Sequence, residues 1–207
     1  MKNVHVVDHP FISDSLTHLR NKDTDLKHFR FHSDQLCRLL VAEAVRGLAV
    51  KEITIQTPLQ EMKAEKLVEE IVVVPVLRAG LAMLPGALQF LPKSRVGFVG
   101  LARDEETAQA SEYYWKLPSF SSESVIMVTD PMLATGGSSL HVLQRLHQEK
   151  PKAVRLVCVI AAPEGIAAVH REFPEVEIFT AAVDERLNEK KYIVPGLGDY
   201  GDRYFGT

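Results

Sequence analysis

The stretch from Val128 to Leu140, VTDPMLATGGSSL, combines one acid, a turn of small residues with two adjacent glycines, and hydroxyl side chains that open a helical segment. Gly136 and Gly137 can take backbone conformations closed to other residues, which lets successive N–H groups point into one concavity. A helix beginning near Ser138 adds its unpaired N-terminal donors and the positive end of its dipole. Thr135, Ser138 and Ser139 supply hydroxyls. Such a turn can seat a phosphate monoester, or it can be a tight strand-to-helix connection and nothing more. Asp130 favours the first. A carboxylate just ahead of the loop repels a polyphosphate but accepts hydrogen bonds from sugar hydroxyls. An acid beside an anion cradle points to a ribose 5-phosphate.

Other chemistries fit less well. A P-loop needs GxxxxGK[ST], and no lysine lies between Asp130 and Gln144. GLGDYG, residues 196–201, satisfies G-x-G-x-x-G, but only six residues follow it, too few for the helix and distant acid of a dinucleotide site. Its glycines still mark a loop where backbone can come close to a flat ligand. No G-x-S-x-G elbow is present. The eight histidines (5, 9, 18, 28, 32, 141, 147 and 170) are read as carrying no zinc site. Arg78 follows an apolar run and precedes Ala79 and Gly80, a place that suits an anion contact. Arg103 opens RDEETAQASEYYWKLP, a polar segment long enough to serve as a lid.

These residues need a frame. IVVVPVL (71–77), RVGFVGLA (95–102), SVIMV (124–128), AVRLVCVIAA (153–162) and VEIFTAAV (176–183) read as strands, and the continuous β-branched runs suit strands covered on both faces. LAMLPGALQFL, SSLHVLQRLHQ and PEGIAAVHREF read as helices between them. The alternation predicts an α/β fold, a mostly parallel sheet with helices on both faces. Ligands of such sheets gather beyond the carboxyl ends of the strands, where Arg78 and Asp130 fall. Nearer the N-terminus, SDQLCRLLVAEAVRGLA is predicted to be an amphipathic helix capped by Ser33. KEITIQTPL alternates like a half-buried strand, either an arm that pairs with a second subunit or an edge hairpin within one.

Composition narrows the partners. The 207 residues carry 24 Lys and Arg against 27 Asp and Glu, a net charge of −3, which argues against broad binding of nucleic acid or anionic membrane. No apolar run reaches the ~18 residues of a spanning helix, and the N-terminus lacks the apolar core of a signal peptide. Cys37 and Cys158 each sit alone in an apolar segment and read as buried thiols. These features together predict a cytoplasmic protein.

The segments VVPVLRAGLAM, VGLARDEET, VTDPMLATGGS, IAAPEGI and DERLNEKKYIVPGLGDYGDRYFGT make the chain resemble the uracil phosphoribosyltransferases, densely from about residue 71 to 207. The TGGS element is shared with all phosphoribosyltransferases of this fold, whereas the carboxyl-terminal motif selects the uracil branch. The resemblance implies a type I phosphoribosyltransferase-like domain spanning 1–207. In it, N-terminal helices and a β-arm occupy about 1–60, an α/β core about 61–183, and a base-binding hood about 184–207.

It implies transfer of ribose 5-phosphate from phosphoribosyl pyrophosphate to uracil, giving UMP and pyrophosphate. Asp130, Pro131, Met132, Leu133, Ala134, Thr135, Gly136, Gly137 and Ser138 would cradle the 5-phosphate and ribose. Arg78 and Arg103 would hold the pyrophosphate, with magnesium bridging its oxygens. Asp199 would lie near the reacting centre, and Ile193, Gly198, Asp199 and Tyr200 would contact uracil, largely through backbone. A homodimer or higher oligomer is expected.

In parts of the family GTP activates the enzyme, which makes Arg20, Lys22, Lys27 and Arg30 candidate effector contacts. The chain also departs from the family's habits. Tyr200 stands where many members have alanine, Thr129 stands where other branches have a second acid, and the lid lacks a common proline. Two rivals remain at this stage: a non-catalytic uracil or nucleotide sensor of the same fold, and an enzyme for another base.

Overall fold

The computed structural model describes residues 2–103 and 110–207. In chain order its elements are β1 (Val4–Val6), α1 (Pro10–Arg20), α2 (Leu26–Ala44), β2 (Val50–Gln56), β3 (Glu61–Leu67) and β4 (Glu70–Leu77). A 3-10 turn (Ala79–Met83) leads into α3 (Leu84–Phe90), then β5 (Arg95–Val96), β6 (Phe98–Arg103), β7 (Ala110–Lys116), β8 (Ser124–Thr129) and β9 (Met132–Leu133). The chain continues with α4 (Gly137–Glu149), β10 (Ala153–Ala161), α5 (Pro163–Glu172), β11 (Glu177–Val183), β12 (Arg186–Leu187), β13 (Ile193–Val194) and α6 (Tyr200–Phe205).

The main sheet runs β1-β11-β10-β8-β4-β6-β7, parallel throughout except for the antiparallel β6–β7 pair. This is the α/β architecture expected from the alternating pattern. From β4 the chain places β6 on one side and then crosses to place β8 on the other, so the strand order reverses between β4 and β8. That reversal opens a crevice at the carboxyl ends of the two strands.

The apolar runs explain both cores. Because successive side chains of a strand face opposite sides, Ile71 and Val73 of β4 join one cluster while Val72, Val74 and Val76 join the other. The first cluster is closed by Leu36, Cys37, Leu40, Val41 and Ala44, one buried stripe of α2, together with residues of α1 and α3. The second is closed by Val142, Leu143 and Leu146 of α4 and Ile166 and Val169 of α5. Both cysteines are buried free thiols, and burial pushes each up to about 12, far from the reactive thiolate.

Four expectations need correction. The second helix begins at Leu26, not after Ser33: Asp25 is its N-cap and accepts from the His28 amide at 2.9 Å, while Ser33 lies buried inside the helix. β1 was not expected. Three residues have no periodicity to read, and they become a strand only by pairing with β11. The arm is a two-stranded hairpin, β2 with β3, separate from the main sheet, so it runs past the boundary set near residue 60. It is also mostly exposed rather than half-buried within this chain. The segment from Arg103 reads in sequence as one polar lid, yet Ala110–Lys116 is an edge strand paired with β6. The rest of that lid, residues 104–109, lies outside the described residues.

Candidate active site at the strand crossover

Asp130 directly follows β8, and its backbone N–H donates to Val157 of β10 at 3.2 Å. Both the Val159 and Ile160 amides donate to the Pro131 carbonyl, at 3.0 and 3.1 Å, and β9 pairs with the end of β10. These bonds fasten the loop to the buried carboxyl-terminal part of β10. Pro131 and Leu133 therefore turn inward, Leu133 into the core, and can serve a ligand only as scaffold. Met132, Ala134, Thr135, Gly137 and Ser138 stay partly accessible.

The two glycines have different tasks. Gly136 is left-handed, with φ at 83°, and a Cβ there would meet the Gly165 carbonyl at 3.1 Å, so it makes the turn possible. Gly137 has no such backbone need. A Cβ there would find only Thr135 Oγ1 at 3.6 Å and would otherwise enter open space at the head of α4. That helix has no side-chain cap from Gly136, and its first amide donates only weakly to Thr135 Oγ1 at 3.4 Å, which leaves the helix start open to a stronger anionic acceptor. Gly137→Val should therefore fold as the wild type does but fill the cradle. Calorimetry should show ribose 5-phosphate ligands bound at least about tenfold more weakly, the cost of losing about 1.4 kcal/mol of contacts. Unchanged affinity in the folded variant would remove the loop from the site.

Arg78 directly follows β4 on the far side of the crevice and is exposed. Its one described ion pair, to Asp202 at 3.8 Å, joins two exposed side chains and contributes little, so the guanidinium is available to an anion. Gly80 behind it packs so closely that a Cβ would lie 2.4 Å from the Thr129 carbonyl. Arg103 ends β6, the next strand over, at the same edge of the sheet.

The carboxyl-terminal segment folds over this edge. Ala79, Met132 and Ala134 line a cleft of about 200 Å³ together with Lys191, Tyr192, Ile193, Gly198, Asp199 and Tyr200. Larger hollows of about 530 and 480 Å³ sit at the amino ends of the strands and another of about 480 Å³ lies along residues 186–190, none of them lined by the anion loop. Asp199 caps α6, its carboxylate accepting from the Asp202 amide at 2.9 Å. Tyr200 does not present its ring to the cleft. The side chain is buried against Phe29, and its hydroxyl donates to Ser33 Oγ at 2.7 Å. At this position only its backbone is offered to a ligand.

Sequence patterns missed what holds this hood in place. Arg20 donates to both carboxylate oxygens of buried Asp184 and, at 2.8 Å, to the Gly196 carbonyl, while the Gly196 amide donates back to Asp184 at 2.9 Å. Arg203 donates to the carbonyls of Leu19, Asn21 and Leu197 and stacks over Phe29. Asp184 and Arg203 lie inside the quoted carboxyl-terminal motif, so the available signal was the motif itself. The basic cluster near the N-terminus breaks up accordingly. Arg20 is spent on Asp184, and Arg30 donates to the Tyr204 carbonyl at 2.8 Å. Lys22, Lys27 and Arg30 stay exposed, Arg30 with only its Nε tied to that carbonyl.

Burial pushes the Asp130 carboxyl up to about 6, with a weak bond from the Met132 amide at 3.4 Å pulling the other way. Thr129 beside it is fully buried, and its Oγ1 has no hydrogen-bond partner among the described residues. A second carboxylate there would be buried without a partner, so the loop carries a single usable acid.

The family model "Uracil phosphoribosyltransferase" matches residues 6–207. A uracil phosphoribosyltransferase of Shouchella clausii is 49% identical over 208 residues, covering all of both chains, and one of Staphylococcus aureus is 46% identical over the same span. The solved AQ2163 protein of Aquifex aeolicus superposes with a TM-score of 0.94 at 41% identity, covering 99% of this chain and 98% of that one. A hypoxanthine-guanine phosphoribosyltransferase from Bacillus anthracis, 13% identical with a TM-score of 0.54 over 77% of this chain, shares the fold alone.

Proposed function

The chain belongs to the uracil phosphoribosyltransferase family, and from that premise we propose how its own residues carry the transfer. The observation that carries the reading is the convergence of three parts at one sheet edge. These are a helix start with no N-cap side chain and an acid before it, an exposed arginine across the crevice, and a cleft closed by residues 191–200.

The 5-phosphate of phosphoribosyl pyrophosphate sits on the amides of Gly137 and Ser138 and the Thr135 hydroxyl, and Asp130 accepts from the ribose hydroxyls. The bond from the anomeric carbon to pyrophosphate breaks with oxocarbenium-like charge on the sugar, and a bond from that carbon to uracil N1 forms as N1 loses its proton. Arg78 and Arg103 stabilise the departing pyrophosphate, and the hood excludes water that would otherwise compete with uracil. Magnesium, when bound, neutralises charge on the pyrophosphate oxygens. The acids near the cleft are Asp130, alone at its loop, and Asp199 and Asp202, which already accept from the Asp202 amide and the Thr207 hydroxyl, and this fits an ion carried mainly by substrate rather than by a protein cage.

Asp130 must be ionised to accept two hydroxyls. With its carboxyl at about 6, kcat/KM for phosphoribosyl pyrophosphate should fall about tenfold per pH unit below that value. Asp130→Asn should be slower but should lack this limb, which separates the enzyme's titration from that of the substrate. The effect on stability has the opposite sign. A carboxyl raised above its ordinary value favours the folded chain at low pH and loses that contribution as pH rises through about 6.

Uracil presents N3–H between two carbonyls, and backbone groups of Ile193 and Gly198 match that edge. Cytosine would leave polar groups mispaired, a strong discrimination. Because the Tyr200 ring is committed to Ser33, Tyr200→Ala should keep the preference for uracil over cytosine while loosening the hood. Competition between the two bases for product formation tests this. Entry of cytosine would show that side-chain shape, not backbone, selects the base.

The exposed arm, with Val50, Ile55, Leu59, Met62 and Leu67 on its surface, is the surface we assign to pairing with a second copy. Among the described residues no helix is long and apolar enough to cross a membrane. The buried free thiols suit the reducing cytoplasm. An effector role for GTP now rests on Lys22, Lys27 and Arg30, and turnover with and without GTP decides it.

A further inference from the structure

Beneath the hood's support, Asp14 and His18 stand one turn apart on α1, and His32 of α2 meets them. One carboxylate oxygen and one nitrogen from each imidazole all lie within 4.8 Å of one another. The histidines were expected to hold no such cluster. The H-x-x-x-H spacing of His28 and His32 does not produce it either, since His28 is turned to Asp25 at 2.7 Å. The third member comes from another helix, so no local spacing reveals it.

We propose that Asp14, His18 and His32 form a binding site for a borderline divalent transition-metal ion of the zinc, cobalt or nickel class, separate from the catalytic cleft. Two imidazoles and one carboxylate are the donor set such ions take, whereas magnesium and calcium prefer oxygen alone. His18 and His32 lie face to face with centroids 3.9 Å apart and planes at 11°, beside the acid. Among the described residues neither the Asp14 carboxylate nor the His18 ring has a hydrogen-bond or ion-pair partner, so both are free to ligate.

His32 is only 8% exposed, and its Nδ1 lies 3.4 Å from Ser15 Oγ, the kind of outer contact that orients a ligating ring. Ligands about 2.0–2.1 Å from a tetrahedral ion stand about 3.3 Å apart. The two exposed members, Asp14 and His18, can swing inward to that spacing around the fixed His32, leaving at least one position for water. The ion would clip α1 to α2 in the turn just before Leu19, Arg20 and Asn21, the residues on which the hood is hung.

The test is calorimetric titration of the untagged, chelator-treated full-length protein with zinc chloride, alongside the absorption spectrum with cobalt. The expected result is one saturable equivalent, a cobalt d–d band and a raised melting temperature. His18→Ala and Asp14→Ala, both at exposed positions and able to fold, should each weaken binding at least about tenfold, since even outer contacts cost that much. His28→Ala should bind as the wild type does. Absence of zinc and cobalt uptake by the wild type would overturn the proposal, and so would undiminished binding by the His18 and Asp14 variants.

Discussion

Arg78→Ala should lower kcat/KM by about 2–4 kcal/mol, roughly thirty- to a thousandfold, with the fold intact. The side chain is exposed, packs no core and makes one long contact to Asp202, so its removal leaves no buried charge and no cavity. All of the loss should come from the departing pyrophosphate, whose charge grows as the anomeric bond breaks. Because that charge is greatest in the transition state, kcat should fall more than KM for phosphoribosyl pyrophosphate rises. Arg78→Lys should recover only part of the rate, since an ammonium cannot hold two phosphate oxygens in a planar fork. Steady-state kinetics on both variants checks this. An alanine variant within threefold of wild type would make Arg78 an ordinary surface residue and move the leaving-group contact elsewhere.

Asp184→Ala should have the largest effect on stability, acting far from the chemistry. Asp184 is almost wholly buried, accepts from two nitrogens of Arg20 and from the Gly196 amide, and so ties α1 to the start of the hood. Truncation strands the Arg20 guanidinium and a backbone donor. Breaking a buried pair from one side costs about 3–5 kcal/mol, and because Arg20 keeps a quarter of its exposure the lower end applies. For a chain of this size that is a fall of about 6–12 °C in Tm. Asp184→Asn, which keeps one acceptor, should lose less. Thermal unfolding followed by circular dichroism gives the answer, and a Tm within about 2 °C of wild type would mean that the Arg203, Tyr200 and Arg30 contacts hold the hood without Asp184.

Position along the chain explains which features were legible in the sequence. IVVVPVL, SVIMV and AVRLVCVIAA announce strands because both faces of a parallel sheet must be apolar, and the turn at Gly136 announces itself because few other residues suit its φ. Local patterns of this kind also placed Arg78, Asp130 and the TGGS loop at one sheet edge. The features that escaped are nonlocal. β1 is a strand only beside β11. Ser33 looks like a cap until Asp25, eight residues earlier, takes that role and Tyr200 claims its hydroxyl. Tyr113, Tyr114 and Trp115 read as a polar lid because an edge strand need not be apolar on both faces. The Arg20–Asp184 and Arg203 anchors join residues more than 160 positions apart, which no periodicity can encode.

The central claim is that the crevice between β4 and β8 transfers a phosphoribosyl group to uracil. Formation of UMP from labelled uracil, phosphoribosyl pyrophosphate and magnesium, with the product identified by chromatography, tests it most directly. Labelled UMP and an equal amount of pyrophosphate should form, dependent on both substrates. Tight uracil binding without UMP would contradict it, because that is the behaviour of a sensor built on the same fold.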